Sequence, residues 1–409
     1  METSELADRI SRLRSMINYC FSCNACNTVC PTNMLKGFSP REFLRKLTET
    51  NVKKLEDILS KINLYECLTC GQCMVDCPMY NGSQGVNFIE LMQEIRDFAL
   101  SVQISQANLD ESVTHDGVFQ LQGNLQVEND KLINNMDFIR SDSELKISDE
   151  SDIGVFIGCF GTMESVFSGY GVDYREMAKS TIKILNLGGF DPVILDTKCC
   201  GHDAYWSGHT ATAIKLAKYN IEQFKKAKIK TVIVSCAEGY NMWKKIYPKL
   251  LGPLPFEVKH LSEFILEKQI DKKFISRDSS SITITYHDPC RLGRLGGIYD
   301  APRQVLAKLK GIKIVEMENN RENAQCCGVS AFLNCTNNSR ILRELRLKDA
   351  ASSGATILVT TCPKCITHFS CYMNKQEFQS GDAQIYNFIM EHLSNVFDFA
   401  TFIVRRLLL

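Results

Sequence analysis

Eight cysteines in the first eighty residues fall into two runs of identical spacing. Each run reads C-x2-C-x2-C-x3-C, and a proline follows its last cysteine. The first run is Cys20, Cys23, Cys26 and Cys30, and the second is Cys67, Cys70, Cys73 and Cys77. Three thiolates spaced three residues apart wrap a loop around three corners of an iron–sulfur cube. The two runs therefore predict two [4Fe–4S] clusters as cofactors.

The last cysteine of each run is predicted to bind the cluster of the other run, as in two-cluster ferredoxins. Cys30 is thereby assigned to the cluster of the second run, and Cys77 to the cluster of the first. Structural zinc is the alternative, but zinc sites favour two separated C-x2-C pairs over a run of four. Between the runs, Ser39-Pro40-Arg41-Glu42 combines an N-cap, an N1 proline and a capping-box glutamate, so the connector is predicted to be helical.

A second set of cysteines repeats itself at an offset of about 130 residues, which predicts two duplicated domains. Each copy contains a cysteine doublet followed by glycine, at Gly201 and Gly328. The first copy is Cys159, Cys199, Cys200 and Cys236, and the second is Cys290, Cys326, Cys327, Cys362 and Cys365. Gly239 stands in the first copy where a fifth cysteine stands in the second.

The five thiols of the second copy exceed what one cubane needs. Adjacent cysteines fit neighbouring corners of a compact cube poorly, but they could bridge the irons of an opened cluster, where a substrate sulfur could bind. Zinc or redox-inert thiols are the alternatives. The four thiols of the first copy suffice for an ordinary cluster or for zinc, and an empty vestigial site is a third reading.

Short β-branched runs lead into the single cysteines of both copies. They are Ile153–Ile157, Thr231–Val234, Ile282–Tyr286 and Thr356–Val359, and they alternate with helical stretches such as Tyr174–Leu187 and Pro302–Leu309. This alternation predicts parallel sheets, whose ligands gather beyond the carboxyl ends of the strands. The predicted fold class is α+β or α/β and multidomain. An α-helical two-cluster ferredoxin module spans 1–97, a linker 98–150, and two Rossmann-like βα domains 151–270 and 271–409.

Composition narrows the class of protein further. The chain has 19 cysteines in 409 residues, and its first residues lack the apolar core of a secretory signal. These features predict a reducing, cytoplasmic environment and metal binding rather than disulfides. Basic and acidic residues balance at 47 each, which argues against a nucleic-acid partner. The apolar tail from Val396 is interrupted by Arg405 and Arg406, and we expect a helix packed on its own domain. The alternative is a tail that docks on a membrane partner.

These motifs resemble those of the CCG-domain iron–sulfur proteins, and most closely the D-type subunit of heterodisulfide reductase. The resemblance rests on both N-terminal runs, Phe38–Arg41, Tyr286–Arg294, Cys326-Cys327-Gly328 and Cys362-Pro-Lys-Cys365. It implies that the CCG cysteines hold noncubane [4Fe–4S] clusters that split a disulfide. In the methanogen enzyme this is the mixed disulfide of coenzyme M and coenzyme B. Gly239 departs from the complete pair of motifs that catalytic members keep.

We therefore expect electrons to pass from the two cubane clusters to a catalytic cluster on the five cysteines of the second copy, where a small disulfide is reduced. His287, beside Cys290, is either a proton donor or a structural hydrogen-bonding group. Arg291, Arg294 and Lys364 could supply charge to the leaving thiolates or tune the cluster potential. Cys335 and Cys371 are expected to be ordinary buried cysteines. The expected partner is a cytochrome b or flavoprotein subunit that holds the chain at the cytoplasmic membrane face.

The alternative function is electron relay without catalysis. CCG proteins also serve as iron–sulfur subunits of membrane-associated glycolate, lactate and glycerol-3-phosphate dehydrogenases, in which a flavin partner oxidises the substrate. No glycine-rich dinucleotide fingerprint occurs in a strand–helix context here, so we expect no flavin or nicotinamide site within this chain.

Overall fold

The computed structural model describes residues 3–48, 52–81, 85–104, 109–110, 115–277, 280–329, 335–374 and 382–408. Its N-terminal part is helical. The α-helices there are Thr3–Ile17, Ala25–Val29, Pro31–Met34, Pro40–Thr48, Val52–Ser60, Gln72–Val75 and Phe88–Ser101, with a 3-10 turn at Leu64–Glu66. The predicted cap is present, because Ser39 Oγ accepts a hydrogen bond from the Glu42 amide at 3.3 Å. The connector between the two cysteine runs is therefore helical.

The rest of the chain contains two parallel sheets of four strands each, with the strand order β2-β1-β3-β4 in the first and β6-β5-β7-β8 in the second. The strands of the first are β1 (Ile153–Phe156), β2 (Val193–Ile194), β3 (Thr231–Val234) and β4 (Glu257–His260). The strands of the second are β5 (Ile282–Tyr286), β6 (Ile312–Ile314), β7 (Ile357–Thr360) and β8 (Asn395–Asp398). The mixed fold with parallel sheets is confirmed.

Helices precede, connect and follow these strands. In the first half they are Val118–Glu128, Asp137–Arg140, Phe160–Phe167, Tyr174–Gly188, His202–Ser207, Thr210–Lys226, Ala237–Asn241, Tyr247–Leu251 and Leu261–Glu267, with a π-helical turn at Met242–Ile246. In the second half they are Asp300–Leu306, Asn337–Ser352, Pro363–Asn374, Ala383–His392 and Phe399–Arg406. Short 3-10 turns lie at His115–Gly117, Ser168–Tyr170, Ile270–Lys273 and Arg321–Asn323.

The last helix of each repeat packs against a helix of the other repeat. Leu261–Glu267, which ends the first repeat, packs on Asp300–Leu306 near the start of the second. Phe399–Arg406, which ends the second repeat, packs on Tyr174–Gly188 of the first. Equivalent loops also meet, because the Ala237 amide donates to the Thr361 carbonyl at 3.1 Å. The tail thus closes the interface between the repeats in addition to covering its own sheet, and Leu407 is fully buried there.

The sheet topology determines where the site forms. In each sheet the order of the parallel strands reverses at the two central strands, β1 and β3 or β5 and β7, and ligands bind beyond the carboxyl ends of strands at such a switch point. Cys159 follows β1 and Cys236 follows β3. Cys290 and Cys362 follow β5 and β7 in the same way. These four cysteines therefore lie at the carboxyl ends of the central strands of the two sheets, and these ends face each other.

The two cysteines outside the motifs differ in burial. Cys371, on the helix Pro363–Asn374, is buried as expected. The expectation was wrong for Cys335, which is only partly buried because it lies in the loop that precedes the helix Asn337–Ser352.

Within the described ranges, no helix combines the length and apolarity needed to cross a bilayer.

Candidate metal centres

The eight N-terminal cysteines line two adjoining cavities. One cavity is bordered by Cys20, Cys23, Cys26, Cys73 and Cys77. The other is bordered by Cys30, Cys67, Cys70 and Cys73. The last cysteine of each run therefore lies with the other run, and Cys73 borders both cavities. Burial raises the pKa of Cys26 to about 11, and the nearby thiols of Cys20, Cys23 and Cys77 contribute to this rise.

Three arginines, of which Arg96 and Arg291 are buried and Arg294 is partly buried, fasten the second cysteine loop to the rest of the molecule. Arg96, on the helix Phe88–Ser101, donates to the carbonyls of Cys67 at 2.6 Å and Trp206 at 2.6 Å. Arg291 donates to Thr69 through two bonds of 2.7 Å and lies over the Trp206 ring at 4.1 Å. Arg294 donates to the Cys70 carbonyl at 2.8 Å and to Gln72 at 2.7 Å.

These contacts give Arg291 and Arg294 a positioning role in addition to the electrostatic role expected from sequence. Both side chains donate to the ferredoxin loop and also to the C-terminal repeats, Arg291 to His202 and Arg294 to the carbonyls of Glu322 and Ala324. Their main effect is to fix the distance between the two N-terminal cavities and the C-terminal repeats. Their positive charge still favours nearby thiolates, because it lowers the pKa of Cys290 against the rise that burial causes.

The five cysteines of the second repeat lie close together, and Cys70 of the ferredoxin loop lies beside them. The Cys327 and Cys365 sulfurs are 3.1 Å apart. Cys326 and Cys70 pack in one small buried cluster, and Cys290 packs against it. The neighbouring thiols of Cys327 and Cys70 raise the pKa of Cys326, and burial together with the thiols of Cys327 and Cys362 raises the pKa of Cys365. A continuous line of thiols therefore runs from the second N-terminal cavity into the second repeat.

His287 holds the doublet from one side. It is 1% exposed, and its Nδ1 accepts a hydrogen bond from Arg346 Nε at 3.0 Å, which leaves the proton on Nε2. Burial lowers the pKa of His287, and one ring nitrogen lies within 4.8 Å of the Cys327 and Cys365 sulfurs. His368 holds the doublet from another side by donating from Nδ1 to the Cys327 carbonyl at 2.9 Å. A neutral imidazole in this setting orients Cys327 and donates a hydrogen bond to its sulfur.

Steric constraints explain why a glycine follows each cysteine doublet. Gly328 has a φ of +92°, and a Cβ there would lie 2.4 Å from the Ser339 carbonyl oxygen. Gly201 has a φ of +77° and leads into the helix His202–Ser207. Only glycine enters this left-handed conformation at little cost, so the doublet can turn both sulfurs toward the strand edges.

The four cysteines of the first repeat also come together. The adjacent Cys199 thiol and burial raise the pKa of Cys200, and burial raises the pKa of Cys236. The neighbouring thiol of Cys159 contributes to both shifts. Cys362 of the second repeat also contributes to the shift at Cys236, so the two sites adjoin at these residues. Gly239, where a fifth cysteine would stand, donates its amide to the Cys236 sulfur at 3.4 Å.

A buried ion-pair network lies between the two sites. Lys364, from the Cys-Pro-Lys-Cys loop of the second repeat, pairs with Asp203 and with Glu238 Oε2 at 3.0 Å in the first. Burial favours a neutral amine, but the two carboxylates raise the pKa of Lys364 well above its usual range. Glu238 occupies the position in the first repeat that Lys364 occupies in the second. Equivalent positions thus carry opposite charges and pair with each other.

His202 extends this network to the ferredoxin loop. Its Nε2 accepts a hydrogen bond from Arg291 Nε at 3.1 Å, and its Nδ1 donates to Asp203 at 3.1 Å. The side chains of His202, Asp203 and Glu238 have the spacing of a metal site. The ammonium of Lys364 already compensates both carboxylates there. We therefore read the three residues as an ion-pair network and the cysteines as the candidate ligands.

Several residues that organise the site lie outside the cysteine motifs, and the motifs did not point to them. Gln126, on the helix Val118–Glu128 within the predicted linker, is 1% exposed and accepts from the Cys199 amide at 2.7 Å. Arg346 and Arg96 act through His287 and the Cys67 carbonyl, respectively. Only the Glu238–Lys364 pair had a sequence signal, because an alignment of the two repeats places a glutamate opposite a lysine.

The donor sets fit iron–sulfur groups. Each N-terminal cavity has at least four cysteines at its border, and the described residues around it include no carboxylate that would compete for a metal. The second repeat offers five thiols, and two residues from outside the set, His287 and His368, hold Cys327. The first repeat offers four thiols, which fit an ordinary cluster or zinc.

Matches to known proteins agree with this arrangement. A cysteine-rich domain, CCG, matches residues 153–243 and 284–370, and a 4Fe-4S dicluster domain matches residues 13–78. The D-type subunit of the dihydromethanophenazine:CoB–CoM heterodisulfide reductase of Methanosarcina mazei is 30% identical over 85% of this chain and 87% of that protein. The EtfAB:quinone oxidoreductase of Syntrophomonas wolfei is 25% identical over 76% of this chain and 44% of that protein.

A solved structure shares the overall architecture. The crystal structure of a hypothetical protein from Helicobacter pylori aligns with 96% of this chain and 73% of that one, with a TM-score of 0.56. Its sequence identity is 10%, so this likeness concerns the fold alone.

Proposed function

Because the chain belongs to the family of CCG-domain iron–sulfur oxidoreductases that includes the D-type subunit of heterodisulfide reductase, we propose that it passes electrons through two [4Fe–4S] clusters to its five-cysteine site and reduces a disulfide there. The observation that carries this proposal is the packing of Cys70 with Cys326 in one buried cluster. It joins a ligand of one N-terminal cavity to the doublet of the second repeat without an intervening residue.

The proposed ligands follow the two cavities. Cys20, Cys23, Cys26 and Cys77 would hold one cubane, and Cys30, Cys67, Cys70 and Cys73 the other. Cys290, Cys326, Cys327, Cys362 and Cys365 would hold a noncubane cluster. Such a cluster supplies single electrons and an iron at which a substrate sulfur can bind. Cys159, Cys199, Cys200 and Cys236 would hold an ordinary cluster or zinc.

The protein's own groups have separate tasks in this scheme. His287 orients Cys327 and keeps a hydrogen-bond donor on its sulfur. Arg291 and Arg294 hold the Cys70 loop against the second repeat, so the two sites keep a fixed distance. Lys364 is bound in the ion-pair network, which makes it a positioning group rather than a proton donor. A redox partner subunit would supply the electrons, as the multi-subunit relatives suggest.

The test is anaerobic purification followed by iron and sulfide analysis and EPR spectroscopy. We expect two cubane signals and a third, thiol-dependent signal upon oxidation. Cys327→Ala should abolish the third signal and leave the cubane signals. Cys335→Ala, outside the motif, is the matched control and should leave all three. If only zinc is present at 151–380, catalysis by this chain is excluded.

Electron relay to a partner is the second candidate. The similarity to the EtfAB:quinone oxidoreductase and the incomplete first motif at Gly239 favour it. Intact cubane signals without any thiol-dependent signal would decide for relay. A flavin oxidase encoded beside this chain would agree with that outcome, and a cytochrome b would favour disulfide reduction.

A further inference from the structure

A cavity of about 480 Å³ lies where the ferredoxin module meets both repeats. Its described lining comes from residues within 71–80 and 87–90 of the ferredoxin module, within 205–206 and 241–249 of the first repeat, and from Arg294 and Leu295 of the second. No cysteine is among the described residues that line it. The cavity is therefore separate from the cysteine sites, and its volume suits a small molecule rather than a peptide.

This cavity adjoins the second N-terminal cavity, the one that Cys70 borders. Gly71 and Ile89 line both of them. Because Gly71 has no side chain, the wall at this point is a single stretch of backbone. A charge bound in the cavity therefore lies close to a cluster held by Cys70, and the buried surroundings screen the two charges less than water does.

Two buried side chains of the lining carry polar atoms without a partner. Asn241 is 1% exposed and Trp206 is 2% exposed. The amide oxygen of Asn241 and the indole nitrogen of Trp206 have no hydrogen-bond partner within the described part of the chain. Buried polar groups are normally paired. An indole donates, and a side-chain amide can turn over to present its NH₂ group, so a ligand that offers oxygen acceptors would satisfy both residues.

The charged groups of the lining favour an anion. Three cations, Lys245, Lys249 and Arg294, stand against one carboxylate, Glu90, among the described lining residues. Glu90 is already paired with Lys249 at 2.5 Å. The exposed Lys245 and the partly buried Arg294 therefore leave an excess of positive charge, which attracts a negatively charged ligand. The remaining walls are aromatic and aliphatic side chains, which suit an apolar body.

We propose that this cavity binds a small organic anion with an apolar body, and that the bound anion lowers the reduction potential of the cluster in the second N-terminal cavity. A negative charge beside a cluster disfavours the added electron. By linkage, the oxidised protein binds the anion more tightly than the reduced protein does. The effect on the potential rests on the cubane of the proposed function, whereas the binding itself does not.

The binding test uses diphenylacetate and its uncharged counterpart diphenylacetamide as probes. Their affinities for the anaerobic, cluster-loaded full chain are measured by calorimetry. We expect diphenylacetate to bind at least about threefold more tightly, because only the carboxylate gains from the positive charge. Lys245→Met should remove most of this preference, and its exposed position leaves the fold intact. Lys218→Met, at an exposed lysine outside the cavity, is the control and should change neither affinity.

Asn241→Leu separates a binding role from a structural one. Leucine keeps much of the volume and removes the unpaired amide, so the melting temperature should rise while the affinity for diphenylacetate falls at least about threefold. A group that only supported the fold would change stability and leave the affinity unchanged. Equal affinity of the wild type for the two probes, no response to Lys245→Met, or unchanged affinity in Asn241→Leu would overturn the binding site.

A redox titration followed by EPR tests the coupling to the cluster. The potential of the cluster that responds to Cys67→Ser should fall in the presence of diphenylacetate and stay constant with diphenylacetamide. An unchanged potential at saturating diphenylacetate would overturn the coupling. Absence of the cubane signal itself would instead refute the proposed function, and the calorimetric result would still decide the binding site.

Discussion

Replacing Arg291 by methionine should release the second ferredoxin loop from the C-terminal repeats. Methionine keeps much of the side-chain volume but removes two bonds of 2.7 Å to Thr69, the bond to His202 and the contact with the Trp206 ring. Hydrogen bonds to a charged group contribute about 1.5–3 kcal/mol each. The variant also leaves the Thr69 carbonyl and His202 Nε2 buried without this donor, which costs about 1–3 kcal/mol for each group. We therefore expect local opening of residues 67–74 to become easier by about 3–5 kcal/mol.

Hydrogen–deuterium exchange measured by mass spectrometry reads this opening directly. A loss of about 3–5 kcal/mol lowers the protection of the amides at 67–74 by between about a hundredfold and a few thousandfold. Arg45→Met is the matched control, because Arg45 forms an exposed ion pair with Glu42 at 2.7 Å that contributes at most about 1 kcal/mol. Unchanged protection of 67–74 in the Arg291→Met protein would refute the view that this arginine holds the modules together.

Three further predictions follow from the same geometry. In a double-mutant cycle, Glu238→Gln and Lys364→Met should each lower the melting temperature, and the double variant should recover about 1–3 kcal/mol relative to their sum; strict additivity would contradict the pairing. Cys77→Ser should alter the same EPR signal as Cys23→Ser, whereas Cys30→Ser should alter the signal that responds to Cys67→Ser; the opposite grouping would exclude crossed ligation. Burial raises the pKa of Asp398 to about 6, above its unfolded value of about 3.9, so its contribution to stability is complete below about pH 4 and is lost as the pH rises through about 6. Asp398→Asn, which keeps the cap oxygen, should therefore gain up to about 3 kcal/mol over the wild type above about pH 6 and nothing below about pH 4, as measured by thermal unfolding; a difference that does not vary with pH would contradict this assignment.

Much of this molecule follows from its sequence. The spacing of Cys20, Cys23 and Cys26 brings three thiols to one loop, because neighbours in sequence are neighbours in space. The β-branched runs before Cys159 and Cys290 are strands, since buried parallel strands favour such residues. The repeat offset indicates a duplication, and the CCG motifs identify the family. Each of these signals is local or periodic, and such signals can be recognised without knowledge of the tertiary structure.

Other features depend on contacts between residues that are distant in sequence. Arg291 lies beside a candidate ligand, which suggested a role at the cluster, yet its guanidinium reaches Thr69, more than two hundred residues away in sequence. The segment 98–150 lacks strong periodicity, yet Gln126 from it supports the backbone of Cys199. The direction of a long side chain depends on which module packs against it, and local spacing contains no information about that packing.

The sequence by itself determined which residues can bind iron and that the C-terminal part is duplicated. The tertiary structure alone decided how the pieces face one another: Cys70 against Cys326, Lys364 against Glu238, and a cavity where the ferredoxin module meets both repeats. The physical reason is that thiol spacing is fixed within short loops of a few residues. The relative positions of the two repeats and the ferredoxin module are instead fixed by buried charged groups and by the fit of surfaces that come from distant parts of the chain.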